Sequence, residues 1–214
     1  MNLLYILLAL LAAYLLGSIP TALWVGRRFF GLADIREHGS GNAGATNTFR
    51  VLGPKAGSLV LLIDALKGFV AAYFLPAWLL AQGAIPAEYV LYYKLACGVL
   101  AIVGHIYPVF AQFRGGKGVA TVLGMMLGVA PAAVGVCLLV FIAMLLLFRY
   151  VSLASMTAGV TFALLQLLPQ FRPAQPFMVY VGFLLAALLI YTHRANISRL
   201  RSGTESRVPL FGRK

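Results

Sequence analysis

Long apolar runs separated by short polar segments dominate the pattern of the chain. Residues 3–25 form an apolar run of about 23 residues, enough to cross a hydrocarbon core of about 30 Å. No positive charge precedes this run and arginines follow it directly, whereas a cleaved signal peptide has a basic start and a shorter apolar core. We therefore expect a retained first span. The further runs predicted as spans are residues 57–81, 89–103, 119–130, 132–148, 153–168 and 177–192.

The segment around Pro131 allows two interpretations. Residues 119–148 would extend about 45 Å as one helix at about 1.5 Å per residue, which is too long for one untilted crossing. The segment is either two short spans joined at residues 130–132 or one long helix kinked at the proline. Seven spans place every loop lysine and arginine except Arg172 on one side, together with the basic tail. Because cytoplasmic loops carry an excess of Lys and Arg, two short spans are favoured.

The sequence therefore predicts an all-α, polytopic integral membrane protein. We expect seven transmembrane helices, with the N-terminus outside and the C-terminus in the cytoplasm. The shortest spans would need local thinning of the bilayer or tilted packing. A single transmembrane helical domain is predicted over residues 1–205, followed by a short basic cytoplasmic tail over residues 206–214. In this topology every polar, glycine-rich segment faces the cytoplasm.

The composition supports a membrane location and limits the classes of function. Of the 214 residues, 62% are hydrophobic and 10% are charged, and the mean hydropathy is +0.93, whereas soluble domains average about 45–50% apolar and about 25% charged residues. A net charge of +12 would indicate nucleic acid in a soluble protein. Here the charges lie mainly in short loops and the tail. This distribution indicates anionic membrane lipids and phosphorylated substrates as binding partners, and we expect no nucleic acid. Cys97 and Cys137 lie in separate apolar runs outside any Cys/His cluster, so we expect neither a metal site nor a disulfide.

The first polar segment, residues 39–50, reads GSGNAGATNTFR and contains no acid. Glycines let the backbone turn through positive φ and approach a ligand closely, and successive N–H groups form a concave anion site. Taken alone, such a loop is typical of a connection between helices. Because similar segments recur along the chain, we expect a phosphate site instead. Its candidate residues are Ser40, Gly41, Asn42, Gly44, Thr46, Asn47 and Arg50.

The second polar segment, residues 104–121, places glycines around a lysine directly before an apolar helix. Backbone N–H groups and a cation at the positive end of a helix favour phosphate, and the candidates are Gly115, Gly116, Lys117 and Gly118. The segment is not a Walker A loop, because Ala111 stands where the first glycine should be and Gly118 follows the lysine. The alternative is a flexible interfacial loop whose Lys117 meets lipid phosphate.

Three more pairs of polar residues stand out along the chain. Ser152 and Ser155 can each cap the sixth helix, the usual role of serine at such a boundary. If the last helix continues into the tail, His193 and Asn196 share a face at i, i+3. The alternative is that this basic tail is only an anchor at the membrane surface, which is the usual role of such a composition. Inside the second span, Asp64 and Lys67 lie one turn apart. We expect these two residues to form a structural ion pair near the cytoplasmic end of that helix.

Four segments together resemble a known family. They are SGNAGATNTFR (residues 40–50), DALKG (64–68), GHIYPVFAQFRGGKGVAT (104–121) and HRANISRLRSGTE (193–205). In this order they resemble the bacterial acyl-phosphate:glycerol-3-phosphate acyltransferases of the PlsY type, and the likeness runs from about residue 17 to 205. By match to these motifs, the functional positions are Ser40, Thr46, Arg50, Lys117, His193 and Asn196, with Ser152 and Ser155 competing for one further match.

The resemblance implies a reaction and a location. A fatty acyl group would pass from acyl phosphate to the 1-hydroxyl of sn-glycerol 3-phosphate, giving lysophosphatidic acid and phosphate in the first step of phospholipid synthesis. A soluble acyl-phosphate-forming enzyme is expected upstream, and the active site would face the cytoplasm from the bacterial cytoplasmic (inner) membrane. No cofactor and no metal are expected. Because acyl phosphate is a mixed anhydride with phosphate as leaving group, positioning and electrostatic stabilisation can suffice without a covalent nucleophile.

The expected catalytic residues are Ser40, His193 and Asn196. The sequence leaves open whether His193, Ser40 or a substrate phosphate accepts the proton of the attacking hydroxyl. Acyltransferases that use acyl-CoA or acyl carrier protein typically carry His-x4-Asp, which is absent after all three histidines of this chain.

Two rival functions remain from the pattern alone. An anion or phosphate-ester transporter would also suit basic loops and glycine breaks, but transporters usually contain an internal repeat and helices broken at mid-membrane, and we find no repeat. A membrane scaffold would leave the donor-rich segments unexplained.

Overall fold

The computed structural model describes residues 1–208, and within these residues it is helical and contains no strand. The α-helices are α1 (Leu3–Gly17), α2 (Thr21–Phe30), α3 (Ala45–Leu52), α4 (Pro54–Ala81), α5 (Val90–Ile106), α6 (Val119–Val129), α7 (Pro131–Phe148), α8 (Val151–Leu165), α9 (Phe177–Thr192) and α10 (Arg194–Arg201). Short 3₁₀ turns connect some of them, as at Ile35–Glu37 and Val109–Ala111.

The chain divides into two compact units, Met1–Val129 and Ala130–Lys214. In the first unit α4 is central and packs against α1, α3, α5 and α6. In the second unit α8 packs against both α7 and α9, and α10 follows α9.

Small residues bring α4 and α6 close together. A Cβ on Gly68 would overlap the carbonyl oxygen of Thr121, and one on Gly124 would overlap that of Ala65. Each helix therefore places a glycine directly against the backbone of the other. In a bilayer, where lipid tails are as apolar as leucine, helices associate largely through such close van der Waals contact.

The first predicted span is bent, and the chain bends again directly after the last one. The apolar run of residues 3–25 is two helices, α1 and α2, whose axes differ by 46° across a break at residues 18–20. Pro20 precedes α2 and lacks the N–H that a continuous helix would need there. Helices α9 and α10 differ by 59°. The last helix therefore does not continue straight into the tail, because the chain turns at His193.

The segment around Pro131 is interrupted. Helix α6 ends at Val129 and α7 begins at Pro131, with Ala130 in a non-helical conformation between them. Of the two interpretations, two separate helices are therefore observed.

Three helical segments of the described chain are long and apolar enough to cross a membrane, Pro54–Ala81, Ala87–Ala111 and Pro131–Phe148. The count rises to five if each bent pair forms one span. Helices α6 and α8 are apolar but shorter, and they correspond to the remaining two predicted spans.

Candidate active site

The first polar loop is held in place by Asn47. This residue lies in the first turn of α3 with its side chain fully buried. Its Oδ1 accepts hydrogen bonds from the backbone N of Ser40 at 2.8 Å and from the Ser40 hydroxyl at 3.2 Å. Its Nδ2 donates to the carbonyl oxygens of Ile35 at 3.2 Å and His38 at 3.0 Å. The Asn47 amide therefore fixes the loop and orients Ser40.

The start of α3 offers donors to a ligand. Gly44 precedes the helix in an extended conformation with φ −141°, and within the described residues no side chain caps this end. The first turn contains no acid, so the positive end of the helix dipole is not offset locally. The side chains of Ser40 and Thr46 near this end are exposed, and so is that of Arg50 in the last turn of α3. This end of the helix can therefore receive an anion.

Arg36, shortly before the first polar loop, is bonded to the second polar loop. Its Nη2 pairs with Asp34 Oδ2 at 2.6 Å, and its Nη1 donates to the carbonyl oxygens of Ala111 and Arg114, each at 3.1 Å. The hydrogen bond from the Arg36 side chain holds the pKa of Asp34 below its ordinary value. Sequence reasoning gave Arg36 no role beyond topology, because nothing in the pattern places residues 34–36 beside residues 111–114.

The second polar loop folds back on the end of α5. The N–H of Gly115 donates to the carbonyl of Ile106 at 3.0 Å, and that of Gly116 donates to the carbonyl of His105 at 3.1 Å. The backbone N–H groups of both glycines are therefore bonded within the protein and close the loop. Gly118 adopts a φ of +83°, which favours glycine, directly before α6. Lys117, between Gly116 and Gly118 in the sequence, is half-buried.

A buried polar cluster lies beneath these loops in the first unit. The predicted ion pair is confirmed, with Lys67 Nζ 2.8 Å from Asp64 Oδ1 and both side chains buried. The same carboxylate oxygen accepts a hydrogen bond from the Thr21 hydroxyl at 2.9 Å. Lys67 Nζ also donates to the carbonyl of Ile19 at 3.0 Å, at the break between α1 and α2. His105 Nδ1 lies 3.6 Å from Asp64 Oδ1.

In the second unit, Glu205 collects three donors. Its Oε1 accepts from Ser152 Oγ at 2.7 Å and from Asn196 Nδ2 at 2.6 Å, and its Oε2 accepts from Arg199 Nε at 2.7 Å. Burial raises the pKa of Glu205, but hydrogen bonds from Asn196, Ser152 and Arg199 outweigh it and bring the pKa below the ordinary value. This carboxylate therefore orients Asn196 and Ser152 together.

The capping prediction for the two serines is wrong. Helix α8 begins at Val151, and Tyr150 occupies the N-cap position without a side-chain cap bond among the described residues. Ser152 instead joins the Glu205 cluster, and Ser155 donates to the carbonyl of Val151 at 2.8 Å, one turn back along the helix. Both hydroxyls are buried. Ser152 therefore shares Glu205 as a hydrogen-bond partner with Asn196, which is another predicted site residue.

His193 lies at the bend between α9 and α10. Its Nδ1 is 2.7 Å from the carbonyl oxygen of Leu189. Because a carbonyl only accepts, this contact requires a proton on Nδ1, which makes Nε2 the nitrogen able to accept a proton. Although the helix does not continue straight through the tail, His193 and Asn196 are both buried, at 3% and 6% exposed.

The end of the described chain is held to the loop between α7 and α8. Two hydrogen bonds join Val208 to Arg149. The backbone N of Val208 donates to Arg149 O at 2.8 Å, and the side-chain Nε of Arg149 donates to Val208 O at 3.0 Å. Arg207 Nε donates to the Tyr150 hydroxyl at 3.0 Å. Residues 209–214 of the predicted tail lie outside the described residues.

Within residues 1–208, no three His, Cys, Asp or Glu side chains lie close enough together to hold a metal ion.

Comparison with known proteins identifies the family. Residues 7–203 match the family model for glycerol-3-phosphate acyltransferase. The chain belongs to this family. It is therefore an acyltransferase and an integral membrane protein, and its family places it in phospholipid biosynthesis.

Relatives cover nearly the whole glycerol-3-phosphate acyltransferase chain. A glycerol-3-phosphate acyltransferase of Salinibacter ruber is 44% identical, covering 94% of this chain and 92% of its own. One from Staphylococcus aureus is 41% identical, covering 95% of this chain and 98% of its own. A crystal structure of PlsY, an integral membrane glycerol 3-phosphate acyltransferase, in its glycerol 3-phosphate form has 38% identity and a TM-score of 0.82, covering 95% of this chain and 96% of that one. The lysophosphatidic acid form of PlsY has a TM-score of 0.79.

The acyltransferase structure groups the predicted site residues within each unit and adds residues that the sequence did not indicate. In the first unit Ser40 and Asn47 are bonded directly, and in the second unit Asn196 and Ser152 share Glu205. Sequence reasoning assigned no role to Glu205. One signal was available, since Glu205 is one of only five acidic residues in the chain and lies in an otherwise basic tail.

Proposed function

We propose that this acyltransferase moves a fatty acyl group from acyl phosphate to the 1-hydroxyl of sn-glycerol 3-phosphate. The products are lysophosphatidic acid and inorganic phosphate, and the reaction is the first step of phospholipid synthesis. A soluble acyl-phosphate-forming enzyme supplies the donor.

The observation that carries this proposal is the likeness to PlsY in two ligand forms. PlsY has been solved with glycerol 3-phosphate and with lysophosphatidic acid, and both forms align over 95% of this chain at 38% identity. These two ligands are the acceptor and the product of the proposed reaction. The polar residues of this chain suit them, because exposed donors surround the start of α3 and Lys117 precedes α6.

The choice of donor rests on chemistry. An acyl phosphate is a mixed anhydride whose leaving group is phosphate, so the acyl carbon is already activated. The protein then needs to bind two phosphorylated molecules and orient the attacking hydroxyl. The basic and hydroxyl side chains of the predicted site meet that requirement, and the sequence lacks the His-x4-Asp motif typical of acyltransferases with thioester donors.

We assign roles to the predicted residues on this basis. Ser40, His193 and Asn196 act at the reacting groups, and Arg50 and Lys117 bind phosphate by charge. The other proposed phosphate-binding residues are Gly41, Asn42, Gly44, Thr46, Asn47, Gly115, Gly116, Gly118, Ser152 and Ser155. For Asn47, Gly115 and Gly116 the observed hydrogen bonds support an indirect part, in which each gives its loop the shape that binds the ligand.

A reconstituted assay tests the reaction. Purified enzyme in liposomes is given glycerol 3-phosphate with palmitoyl phosphate or with palmitoyl-CoA, and phosphate and lysophosphatidic acid are measured together. With palmitoyl phosphate as donor we expect both products in equal amounts, and with palmitoyl-CoA we expect neither. Lysophosphatidic acid formed only from palmitoyl-CoA would overturn the proposed donor. Uptake of glycerol 3-phosphate into the liposomes without either product would favour the transporter.

We further propose seven spans in the bacterial cytoplasmic membrane, with the N-terminus outside and the site facing the cytoplasm. The asymmetry of Lys and Arg supports this topology, with α6 and α8 as short spans. The test uses single cysteines in a Cys97→Ala, Cys137→Ala background. An impermeant thiol reagent on intact cells should label Gln170→Cys and spare Arg28→Cys and Ser206→Cys. Labelling of Ser206→Cys from outside would overturn the seven-span topology.

A further inference from the structure

Three non-helical segments of the first unit meet at one point. They are the break between α1 and α2, the first polar loop and the second polar loop. A small cavity of about 10 Å³ lies where they meet, lined by residues of all three, among them Pro20, Ala43, His105 and Gly116. This space holds about one water molecule and is far too small for glycerol 3-phosphate.

The Asp64 carboxylate, on α4, is bonded to residues at this meeting point. It is 2% exposed, and its Oδ1 receives Lys67 Nζ from the same helix and the Thr21 hydroxyl from the start of α2. Lys67 extends the contact to the carbonyl of Ile19, which also accepts the backbone N–H of Thr21 at 3.0 Å inside the break. Because charges buried together are stabilised mainly by each other, loss of either partner leaves an uncompensated charge among the helices.

His105 carries the contact from Asp64 to the second polar loop. Its ring is 7% exposed, with Nδ1 3.6 Å from Asp64 Oδ1. On the other side of the ring, a Cβ added to Gly116 would overlap His105 Nε2. The carbonyl of His105 also accepts the N–H of Gly116 at 3.1 Å. The residue therefore holds Gly116 through both its side chain and its backbone, directly before Lys117.

We propose that Asp64, Lys67 and His105 form a positioning cluster that fixes the second polar loop, and with it Lys117, in the place required to bind the phosphate of glycerol 3-phosphate. This inference rests on the proposed function, because it assigns the purpose of the cluster to a phosphate site at Lys117. The three side chains do not touch substrate. They set where the loop lies relative to α4 and to the break between α1 and α2.

Two sets of variants test the cluster. In the first set, His105→Asn keeps a polar group close to the position of Nδ1, whereas His105→Leu keeps the bulk and removes the polar contact with Asp64. In the second, Asp64→Asn with Lys67→Gln removes both charges at once, so that neither is left buried alone. The matched control is Lys94→Gln, which removes a lysine of the same unit whose Nζ donates to the carbonyl of Gly128 at 3.2 Å, away from the polar loops.

Each variant is measured in two ways, both on purified full-length protein in detergent. The first is the KM for glycerol 3-phosphate and the kcat with palmitoyl phosphate. The second is the rise in melting temperature that glycerol 3-phosphate causes, which requires no acyl donor. Loss of structural support alone lowers the melting temperature and the yield of active enzyme, but it leaves the KM of the folded fraction unchanged.

We expect His105→Leu and the double variant to raise the KM for glycerol 3-phosphate about tenfold or more, since small displacements of binding groups have large effects. Both should lose most of the ligand-induced rise in melting temperature. His105→Asn should recover much of the affinity, and Lys94→Gln should behave like the parent in both measurements.

The result that would overturn the positioning cluster is a parent-like KM and ligand-induced stabilisation in His105→Leu and in the double variant. If one of the two does not fold, the other decides, because each breaks a different link. Failure of the proposed function has a different signature. There, the unmodified enzyme itself shows no stabilisation by glycerol 3-phosphate and forms no lysophosphatidic acid.

Discussion

Replacement of Asn47 by aspartate separates a loop-holding role from direct contact with substrate. Asn47→Asp keeps the size of the side chain and the oxygen that accepts from Ser40. It replaces the Nδ2 donor with an oxygen, which then faces the carbonyl oxygens of Ile35 and His38 where hydrogen bonds of 3.2 Å and 3.0 Å were made. Each carbonyl loses one of two donors, since Ile35 O also accepts from His38 N at 3.2 Å and His38 O from Gly41 N at 3.1 Å. A new carboxylate then lies against both.

The size of the effect follows from those two bonds. A hydrogen bond contributes about 0.5–1.5 kcal/mol net, so loss of the pair predicts a fall of at least about 1–3 kcal/mol in the free energy of unfolding, to which the new buried carboxylate adds. For a chain of this length each kcal/mol corresponds to about 2–4 °C, so the two bonds alone should lower the melting temperature by roughly 2–12 °C. The kcat should fall too, because Ser40 is fixed to the same amide by bonds of 2.8 Å and 3.2 Å.

The assay combines thermal unfolding in detergent with steady-state kinetics, and Thr46→Ala is the comparison. Thr46 lies beside Asn47 in the first turn of α3, but its side chain is exposed. Its loss should raise the KM for glycerol 3-phosphate with little change in melting temperature. If Asn47→Asp shows that same pattern, a raised KM with a melting temperature within about 2 °C of the parent, the loop-holding argument is refuted and Asn47 contacts the ligand directly.

Three further predictions concern the other site residues. Arg50→Ala and Lys117→Ala should each remove a charge-assisted contact of about 1.5–3 kcal/mol, which lowers kcat/KM about ten- to hundredfold; activity within about twofold of the parent would return them to lipid contact. His193→Gln should retain more kcat than His193→Ala, since positioning matters more than titration with an activated donor; equal loss with binding retained would make His193 the base. For Glu205 the pKa is lowered from 4.5 in the folded enzyme, so its stabilisation is complete above about pH 4.5 and is lost as pH falls through the lowered pKa. Melting curves from pH 7 to pH 3 should show this loss in the parent, and Glu205→Gln should be less stable at pH 7 and lack that component.

The apolar runs of the sequence determined the class of fold and the approximate places of the long apolar helices, but not that of α3, which begins inside the first polar segment. Such runs are local and their lengths are set by the bilayer, so they can be read without knowing which helix packs on which. The break at Pro131 and the ion pair between Asp64 and Lys67 were also available locally, because a proline breaks the helix bond pattern and residues three apart lie on one face. The motifs in the polar loops identified the family for the same reason.

The tertiary structure decided how the polar residues are used. Sequence reasoning treated Asn47, Gly115 and Gly116 as ligand donors, yet their amides are bonded to carbonyls of the protein itself. The roles of Arg36 and Glu205 follow only from the folded chain. Arg36 bonds to Ala111, 75 positions away in sequence, and Glu205 bonds to Ser152, 53 positions away. Which donors meet protein acceptors and which remain for a ligand depends on the path of the backbone between distant segments. That path is fixed by helix packing, and a linear pattern of residue types does not contain it.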